Sequence, residues 1–143
     1  MREIIFRGRR VDNGEWVEGY YVKKGILHCI VNDDYAIGWV VTPKTVGQFT
    51  GLLDKDGKKI FEGDVVQGIV FSTRTLNGEE KEIKMCGVVF YDYHEWSLKV
   101  IQSRSDEKRC GMVNYFSFLS DDGGMFKDIE VIGSIHTTPE LLK

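Results

Sequence analysis

Short apolar runs separated by turn residues fill the first 45 positions of the chain. They lie at residues 4–6, 15–22, 26–31 and 35–41, and within the second run charged and apolar residues alternate at positions 15–18. Such alternation is typical of strands with one buried and one solvated face. Asn13-Gly14 and Lys24-Gly25 mark tight turns, because glycine adopts the positive φ that these turns require. The pattern predicts an N-terminal β subdomain over residues 1–45, a meander of about four strands.

The stretch from Val46 to Val66 holds a predicted hairpin and a sharp corner. An apolar run at 46–53 is followed by turn residues at 54–57, and the apolar pattern resumes at residue 60. Two such runs around a turn that contains glycine indicate a β-hairpin. Gly63-Asp64 then redirects the chain into a β-branched run. Strands of small SH3-like barrels often begin in this way, and so do many other strands.

The C-terminal half continues the β pattern. Further strand-like runs lie at residues 65–71, 85–91, 97–102 and 129–135. Residues 72–81 are polar and predict a long loop, whereas the aromatic segment 112–119 fits either a short helix or a buried irregular segment. Thr138-Pro139 predicts a terminal helix of one turn, because threonine caps helices and proline is favoured at their first position. The chain as a whole is therefore predicted to be mainly β.

Composition narrows the class of protein. The chain has 143 residues, of which 42% are hydrophobic and 29% are charged, which suits one domain or two small subdomains that share a core. No apolar run approaches the roughly 20 residues that span a bilayer, and the N-terminus lacks the apolar core of a signal peptide. The three cysteines form no Cys-x-x-Cys pair, which favours free thiols in a reducing compartment. We therefore expect a cytoplasmic protein with no membrane partner.

Charge gives one local candidate site. The net charge is -3 and the sequence pI is about 5.6, so the chain as a whole does not attract nucleic acid. The first ten residues are an exception, since Arg2, Arg7, Arg9 and Arg10 stand against Glu3 alone. We favour a solvated edge strand whose charges deter sheet-to-sheet association. The alternative is a phosphate-binding patch.

A second candidate lies at residues 91–96, where two acids, a histidine and three aromatics cluster in a predicted hairpin turn. Catalysis would make His94 a general base oriented by Asp92, but no motif places a nucleophile beside them. Recognition is the better functional interpretation, because exposed aromatic residues on hairpin loops can stack on bases or hold proline-rich peptides, although covering the end of a barrel is their more common role. The predicted binding residues are therefore Arg7, Arg9, Arg10, Tyr93 and Trp96.

No motif predicts a catalytic residue, a metal site or a cofactor. Asp54 and Asp56 resemble the start of an EF-hand loop, but the required glycine and glutamate are missing from its sixth and twelfth positions. His28 and His136 match no zinc-binding spacing. The glycines form neither a phosphate-binding loop nor a dinucleotide fingerprint. A nucleotide-dependent enzyme is therefore not expected.

Three stretches carry a longer signature. The first is REIIFRG at residues 2–8, the second is TVGQFTGL, DKDGK and IFEGDVV within residues 45–66, and the third is IEVIGSI with PELL within residues 129–142. Together they resemble the YopX family of small phage and prophage proteins. The resemblance extends from one end of the chain to the other, but it is thin across residues 68–85 and 104–127.

The resemblance implies a β-rich N-terminal part followed by an SH3-like barrel, which we place at residues 46–143, and it implies no particular activity. We expect a non-enzymatic accessory protein of a phage or prophage, without a cofactor, that binds a host or phage protein or nucleic acid. The alternative is a structural protein that assembles into a homo-oligomer through its surface strands and an aromatic patch.

Overall fold

The computed structural model describes residues 3–34, 36–74, 76–92, 95–104, 115–117 and 127–142. Within these ranges, eleven strands form two antiparallel sheets, and the helical content is two short 3-10 helices. The prediction of a mainly β protein is therefore confirmed.

The first sheet contains six strands. Their bounds are β1 Phe6–Arg9, β2 Trp16–Lys24, β3 Leu27–Val31, β4 Gly38–Val40, β5 Gly47–Leu53 and β6 Lys59–Phe61. The order across the sheet is β4-β3-β2-β1-β5-β6, and the 3-10 helix Pro43–Thr45 connects β4 to β5. Each of the first four strands pairs with its neighbour in sequence, which confirms the N-terminal meander. The neighbouring positions of β5 and β6 confirm the predicted hairpin.

The second sheet contains five strands. Their bounds are β7 Asp64–Arg74, β8 Glu80–Asp92, β9 Glu95–Arg104, β10 Tyr115–Ser117 and β11 Lys127–Ser134. The order is β10-β9-β8-β7-β11. A 3-10 helix at Pro139–Leu142 follows β11, in agreement with the short terminal helix expected from the sequence.

Contacts divide the chain into two compact units. The N-terminal unit is Met1–Leu52 with Lys59–Glu62, and the C-terminal unit is Leu53–Lys58 with Gly63–Lys143. Strands β5 and β6 thus belong almost entirely to the N-terminal unit, while the turn between them is counted with the C-terminal unit. The boundary expected at residues 45 and 46 stays a prediction about domain organisation.

Strand β1 lies in the interior of the first sheet, between β2 and β5. Phe6 pairs with Gly19 on one side and with Gln48 on the other. The interpretation of the arginine-rich N-terminus as an edge strand is therefore wrong. The reason is a non-local pairing, because β5 comes much later in the chain and nothing in the local pattern of β1 signals it.

In the N-terminal unit, the residues at the end of β4 lie against the residues that follow β1. Ile30 and Val41 are buried in its core. Arg10, just after β1, forms an isolated bridge with Val41, and the Val11 N–H donates to the Val40 carbonyl at 3.0 Å. This bridge brings the residues that follow β1 alongside β4.

The C-terminal unit has its own core. Among the residues that the structure describes, the buried apolar ones in this unit are Val65, Val66, Val89, Trp96 and Leu98. Gly63 has a φ of 86°, which favours glycine, and its N–H donates to the Val89 carbonyl at 2.9 Å. The Gly63-Asp64 corner therefore begins strand β7, as the sequence predicts.

The SH3-like barrel is not confirmed. Strands β10 and β11 stand at opposite ends of the second sheet, and no barrel closes among the strands that the structure describes.

The long loop predicted at 72–81 is shorter than expected. β7 continues to Arg74 and pairs there with Glu80 at the start of β8, so the two strands extend beyond their apolar parts. A polar stretch lacks the apolar pattern from which a strand is predicted. Most of the segment 112–119 lies outside the described residues, but Tyr115–Ser117 is a strand paired with β9, which is neither of the two expected structures.

Candidate functional site

The turn between β1 and β2 forms one wall of the candidate site. The Arg10 N–H donates to the Glu15 carbonyl at 2.9 Å, and the Gly14 N–H donates to the Arg10 carbonyl at 3.0 Å. The Asn13 side-chain oxygen accepts the Glu15 N–H at 3.0 Å, and Gly14 has a φ of 73°. These local bonds fix the turn and present Val11 with 59% of its surface exposed.

A groove of about 240 Å³ separates this turn from β4. Its lining residues are Arg10, Val11 and Asp12 on one side and Gly38, Trp39 and Val40 on the other. Val11 and Val40 are both exposed, so apolar side chains reach solvent at the groove. A concave surface with exposed apolar groups on a fixed backbone is typical of binding sites. We call these six residues the β4 groove.

Arg10 and Asp12 form an ion pair within the β4 groove. The Arg10 Nε donates to the Asp12 Oδ1 at 2.9 Å, and a second bond joins Arg10 Nη2 to Asp12 Oδ2. The hydrogen bond to Asp12 raises the pKa of the Arg10 guanidinium, and the same contact lowers the pKa of the Asp12 carboxyl. The pair is therefore charged on both sides at neutral pH, and its net charge is close to zero.

Arg7 lies elsewhere, between two aromatic rings of the N-terminal unit. Its guanidinium carbon is 4.3 Å from the centre of the Trp16 ring and 4.7 Å from that of Phe61. Only 8% of Arg7 is exposed. A guanidinium held between two rings in a buried position is a structural cation–π contact rather than an open site for phosphate.

Arg9 is bound to the β1–β2 turn. Its Nε donates to the Gly14 carbonyl at 2.9 Å, and its backbone N–H donates to the Thr45 hydroxyl at the same distance. The structure therefore places only one of the three predicted arginines, Arg10, in the β4 groove. The binding roles of Arg7 and Arg9 stay predictions.

The aromatic candidates lie in the C-terminal unit. Trp96 is 1% exposed and belongs to the core, and its ring meets the Tyr91 ring edge to face at a centroid distance of 5.0 Å. Tyr91 is half exposed. Tyr93 and His94 lie outside the described residues. The burial of Trp96 fits the alternative in which these aromatics cover the fold, and its binding role stays a prediction.

The C-terminal unit has a polar concavity of about 280 Å³. Its charged lining residues are Lys55, Lys84, Asp128 and Glu130. The Lys55 Nζ lies 3.1 Å from the Glu130 carboxylate, and the hydrogen bond between them raises the pKa of the Lys55 amine. Two cations and two anions share the space, so its charge selects neither an anionic nor a cationic ligand.

Asp54, which resembles the first residue of a calcium loop, has a structural role. Its Oδ1 accepts the N–H groups of Asp56 and Lys58 at 2.9 Å each, and its Oδ2 accepts the Val131 N–H at 3.1 Å. Burial acts to raise the pKa of the Asp54 carboxyl, but the hydrogen bonds from Lys58, Val131 and Asp56 outweigh it, so the pKa is lowered. The carboxylate thus attaches the β5–β6 turn to β11.

No cluster of three or more histidine, cysteine or acidic residues that could hold a metal ion occurs in the described parts of the chain. None of the helices in those parts is long and apolar enough to cross a bilayer.

Most of the β4 groove is not predictable from the local sequence pattern. Arg10 is its only residue among the predicted binding residues, Trp39 and Val40 were expected to lie in a strand, and no role was predicted for Val11. The two walls come together through the Arg10–Val41 bridge. An unusual signal was nevertheless present, because an apolar residue such as Val11 is uncommon at the start of a tight turn.

One comparison with known proteins bears on the fold and another on the family. The chain is similar to protein EF1440 from Enterococcus faecalis, whose crystal structure it matches with a TM-score of 0.52, at 18% sequence identity and over 100% of both chains. At this identity the likeness concerns the fold alone. No curated protein matches the chain. The family described as YopX protein matches residues 6–143, which is nearly the whole chain, and the protein therefore belongs to the YopX family.

Proposed function

We propose that this protein is a non-enzymatic phage or prophage accessory protein that binds a protein partner through the β4 groove. The observation that carries the proposal is the exposure of Val11 and Val40 on the rim of a groove whose backbone is held by hydrogen bonds. Apolar side chains in a fixed concave surface gain free energy when a partner covers them. Because the backbone is already ordered, little conformational entropy is lost on binding.

Electrostatics support a protein partner over a nucleic acid. Arg10 is neutralised by Asp12, and Arg7 is buried between Trp16 and Phe61. The net charge of the chain is -3. Nucleic-acid binding depends on cations that can replace the counterions of phosphate groups, and the β4 groove offers no excess of them.

Membership of the YopX family supports the phage or prophage part of the proposal and, with it, a place of action in the host cytoplasm. A homo-oligomer is the competing possibility, because β4 is an end strand and end strands can pair between copies of a chain. The experiment below separates the two.

The SH3-like barrel also remains part of the proposal. The long pairings of β7 with β8 and of β8 with β9 are what such a barrel would be built from. Closure requires contacts between the two end strands of the sheet, β10 and β11. Nuclear Overhauser effects between residues 115–117 and 127–134 would support a barrel, and their absence in a fully assigned spectrum would exclude direct closure.

Affinity capture with matched variants tests the function. Wild-type protein, Val11→Glu and Ile26→Glu are immobilised and exposed to lysate of the bacterial host, with and without nuclease. Ile26 is the control because it is 90% exposed in the same unit and lies outside the groove. A partner bound through the groove is expected to be depleted about tenfold with Val11→Glu, to remain with Ile26→Glu, and to be insensitive to nuclease.

Three results would contradict the proposal. An identical set of captured proteins with wild type and Val11→Glu would exclude the groove as the contact surface. Loss of all captured material on nuclease treatment would identify nucleic acid as the partner. Recovery of only the protein's own chain, with a mass in light scattering that rises with concentration, would favour the homo-oligomer.

A further inference from the structure

We infer that the partner enters the β4 groove as an extended peptide segment and pairs, as an additional strand, with the part of the β4 edge that Arg10 and Val11 leave uncovered. This inference rests on the proposed function and specifies the kind of partner. It is carried by the direction of the backbone groups along β4, by the position of the opposite wall and by the side chains that line the groove.

The N–H and carbonyl groups of successive β4 residues point alternately toward β3 and away from it. The Val41 N–H donates to the His28 carbonyl at 2.9 Å, so residue 41 faces the neighbouring strand. The Val40 carbonyl faces the other way and accepts the Val11 N–H. Since residues two apart on a strand share one direction, the N–H and carbonyl of Gly38 also point away from β3.

One end of this edge is already occupied and the rest faces the groove. Val11 bonds the Val40 carbonyl, while Gly38 and Val40, both exposed, line the groove. The groups presented are the Gly38 N–H and carbonyl and the Val40 N–H. An extended backbone offers donors and acceptors at the matching spacing, whereas a helix has already used its own.

The opposite wall limits what can enter. Arg10, Val11 and Asp12 stand across the groove from β4, so a second sheet edge would bring its neighbouring strand against this wall. A single peptide strand, with no neighbour on its far side, avoids the clash. We therefore favour a flexible segment of another protein over a second copy of this chain.

The side chains indicate what the peptide should carry. Val11 is 59% exposed, Val40 is exposed and Trp39 is half-buried, so the groove offers apolar contacts at its rim and on its wall. The Arg10–Asp12 pair has no excess charge to offer. We expect a segment with an apolar residue at alternate positions and no requirement for a particular charge.

A displayed library of random linear peptides, selected on the full-length wild-type protein, tests the inference. Affinities of the selected peptides are then measured for wild type, Val40→Pro, Val11→Glu and Ile26→Glu. Proline at residue 40 removes an N–H that points away from β3, so it leaves the β3–β4 bonds in place. We expect about tenfold weaker peptide binding to Val40→Pro and Val11→Glu than to wild type, and unchanged binding to Ile26→Glu.

Methylation of the peptide's own backbone tests pairing without altering the protein. N-methyl groups placed at successive positions of a selected peptide should abolish binding at every second position, because only alternate N–H groups face the partner strand. The inference would be overturned if the library yielded no binding peptide, or if the selected peptides bound Val40→Pro as tightly as wild type. It would also be overturned if the effect of N-methylation on affinity did not alternate from one peptide position to the next. If capture from lysate still depends on Val11 in that case, the proposed function stands and only the extended-peptide mode fails.

Discussion

At the scale of single residues, Asp54 shows how one carboxylate holds a turn in place. Three backbone N–H groups, those of Asp56, Lys58 and Val131, converge on its two oxygens. Two of these donors belong to the β5–β6 turn itself, and the third belongs to β11. A neutral side chain at residue 54 cannot accept all three bonds, and a buried N–H without an acceptor is destabilising.

We predict that Asp54→Asn lowers the free energy of unfolding by about 1–3 kcal/mol at pH 7, because the amide nitrogen would face an N–H group. The pKa of the Asp54 carboxyl is lowered in the folded protein. Its contribution is therefore present above the unfolded pKa of about 3.9 and is lost as the pH falls through the lower folded value. Urea titrations of wild type and Asp54→Asn at pH 7 and pH 3 measure how the difference in their free energies of unfolding changes with pH.

Asp56→Asn is the matched control for that experiment, since Asp56 is exposed on the same turn. Its free energy of unfolding should stay within about 0.5 kcal/mol of wild type. If Asp54→Asn is as stable as wild type at pH 7, or if its deficit is unchanged at pH 3, the role assigned to the carboxylate is wrong.

Arg7 is the second residue whose environment, rather than its charge, explains its presence. The guanidinium plane lies between Trp16 and Phe61. Lysine keeps the charge but lacks the planar group that stacks on a ring. We predict that Arg7→Lys lowers the free energy of unfolding by about 1–2 kcal/mol, whereas Arg10→Lys, at a solvent-exposed ion pair, leaves it close to the wild-type value. Thermal unfolding of both variants decides, and a larger loss for Arg10→Lys would refute this assignment.

At the scale of strands, β5 passes unusually close to the chain after β6. A methyl group added at Gly47 would lie 2.6 Å from the Glu62 carbonyl oxygen, which is backbone and cannot rotate away. We predict that Gly47→Ala lowers the free energy of unfolding by about 1–3 kcal/mol. At Gly38 the nearest atom to an added methyl group is a Val31 side-chain carbon at 3.1 Å, so Gly38→Ala should be milder. Equal denaturation midpoints for the two variants would show that β5 can shift.

Local signals predicted the strands better than their partners. The Asn13-Gly14 and Gly57 turns and the Gly63-Asp64 corner were readable because glycine and short polar side chains determine backbone geometry within a few residues. The central place of β1 was not, since it depends on pairing with β5. The polar sequence where β7 ends and β8 begins was predicted to be a loop, because its residues pair without an apolar pattern.

At the scale of the whole molecule, the same distinction separates the class of fold from the candidate site. A mainly β protein follows from alternation that repeats along the sequence. The β4 groove joins residues 10–12 to residues 38–40 through the Arg10–Val41 bridge, a contact that no local pattern encodes. The buried Arg7 and Trp96 show the converse error, because a charged or amphipathic residue was expected at the surface and the fold encloses it. The family match places the chain among YopX proteins, and the groove adds a testable surface.

Amide hydrogen exchange in the presence of a selected peptide tests the central claim most directly. The amides of Gly38 and Val40 point away from β3, so a strand added to β4 should slow their exchange by about tenfold or more, while the Ile26 amide at the exposed β2–β3 turn should not change. Unaltered exchange at residues 38 and 40 under saturating peptide, with protection appearing at other surfaces, would show that β4 is not where this protein binds.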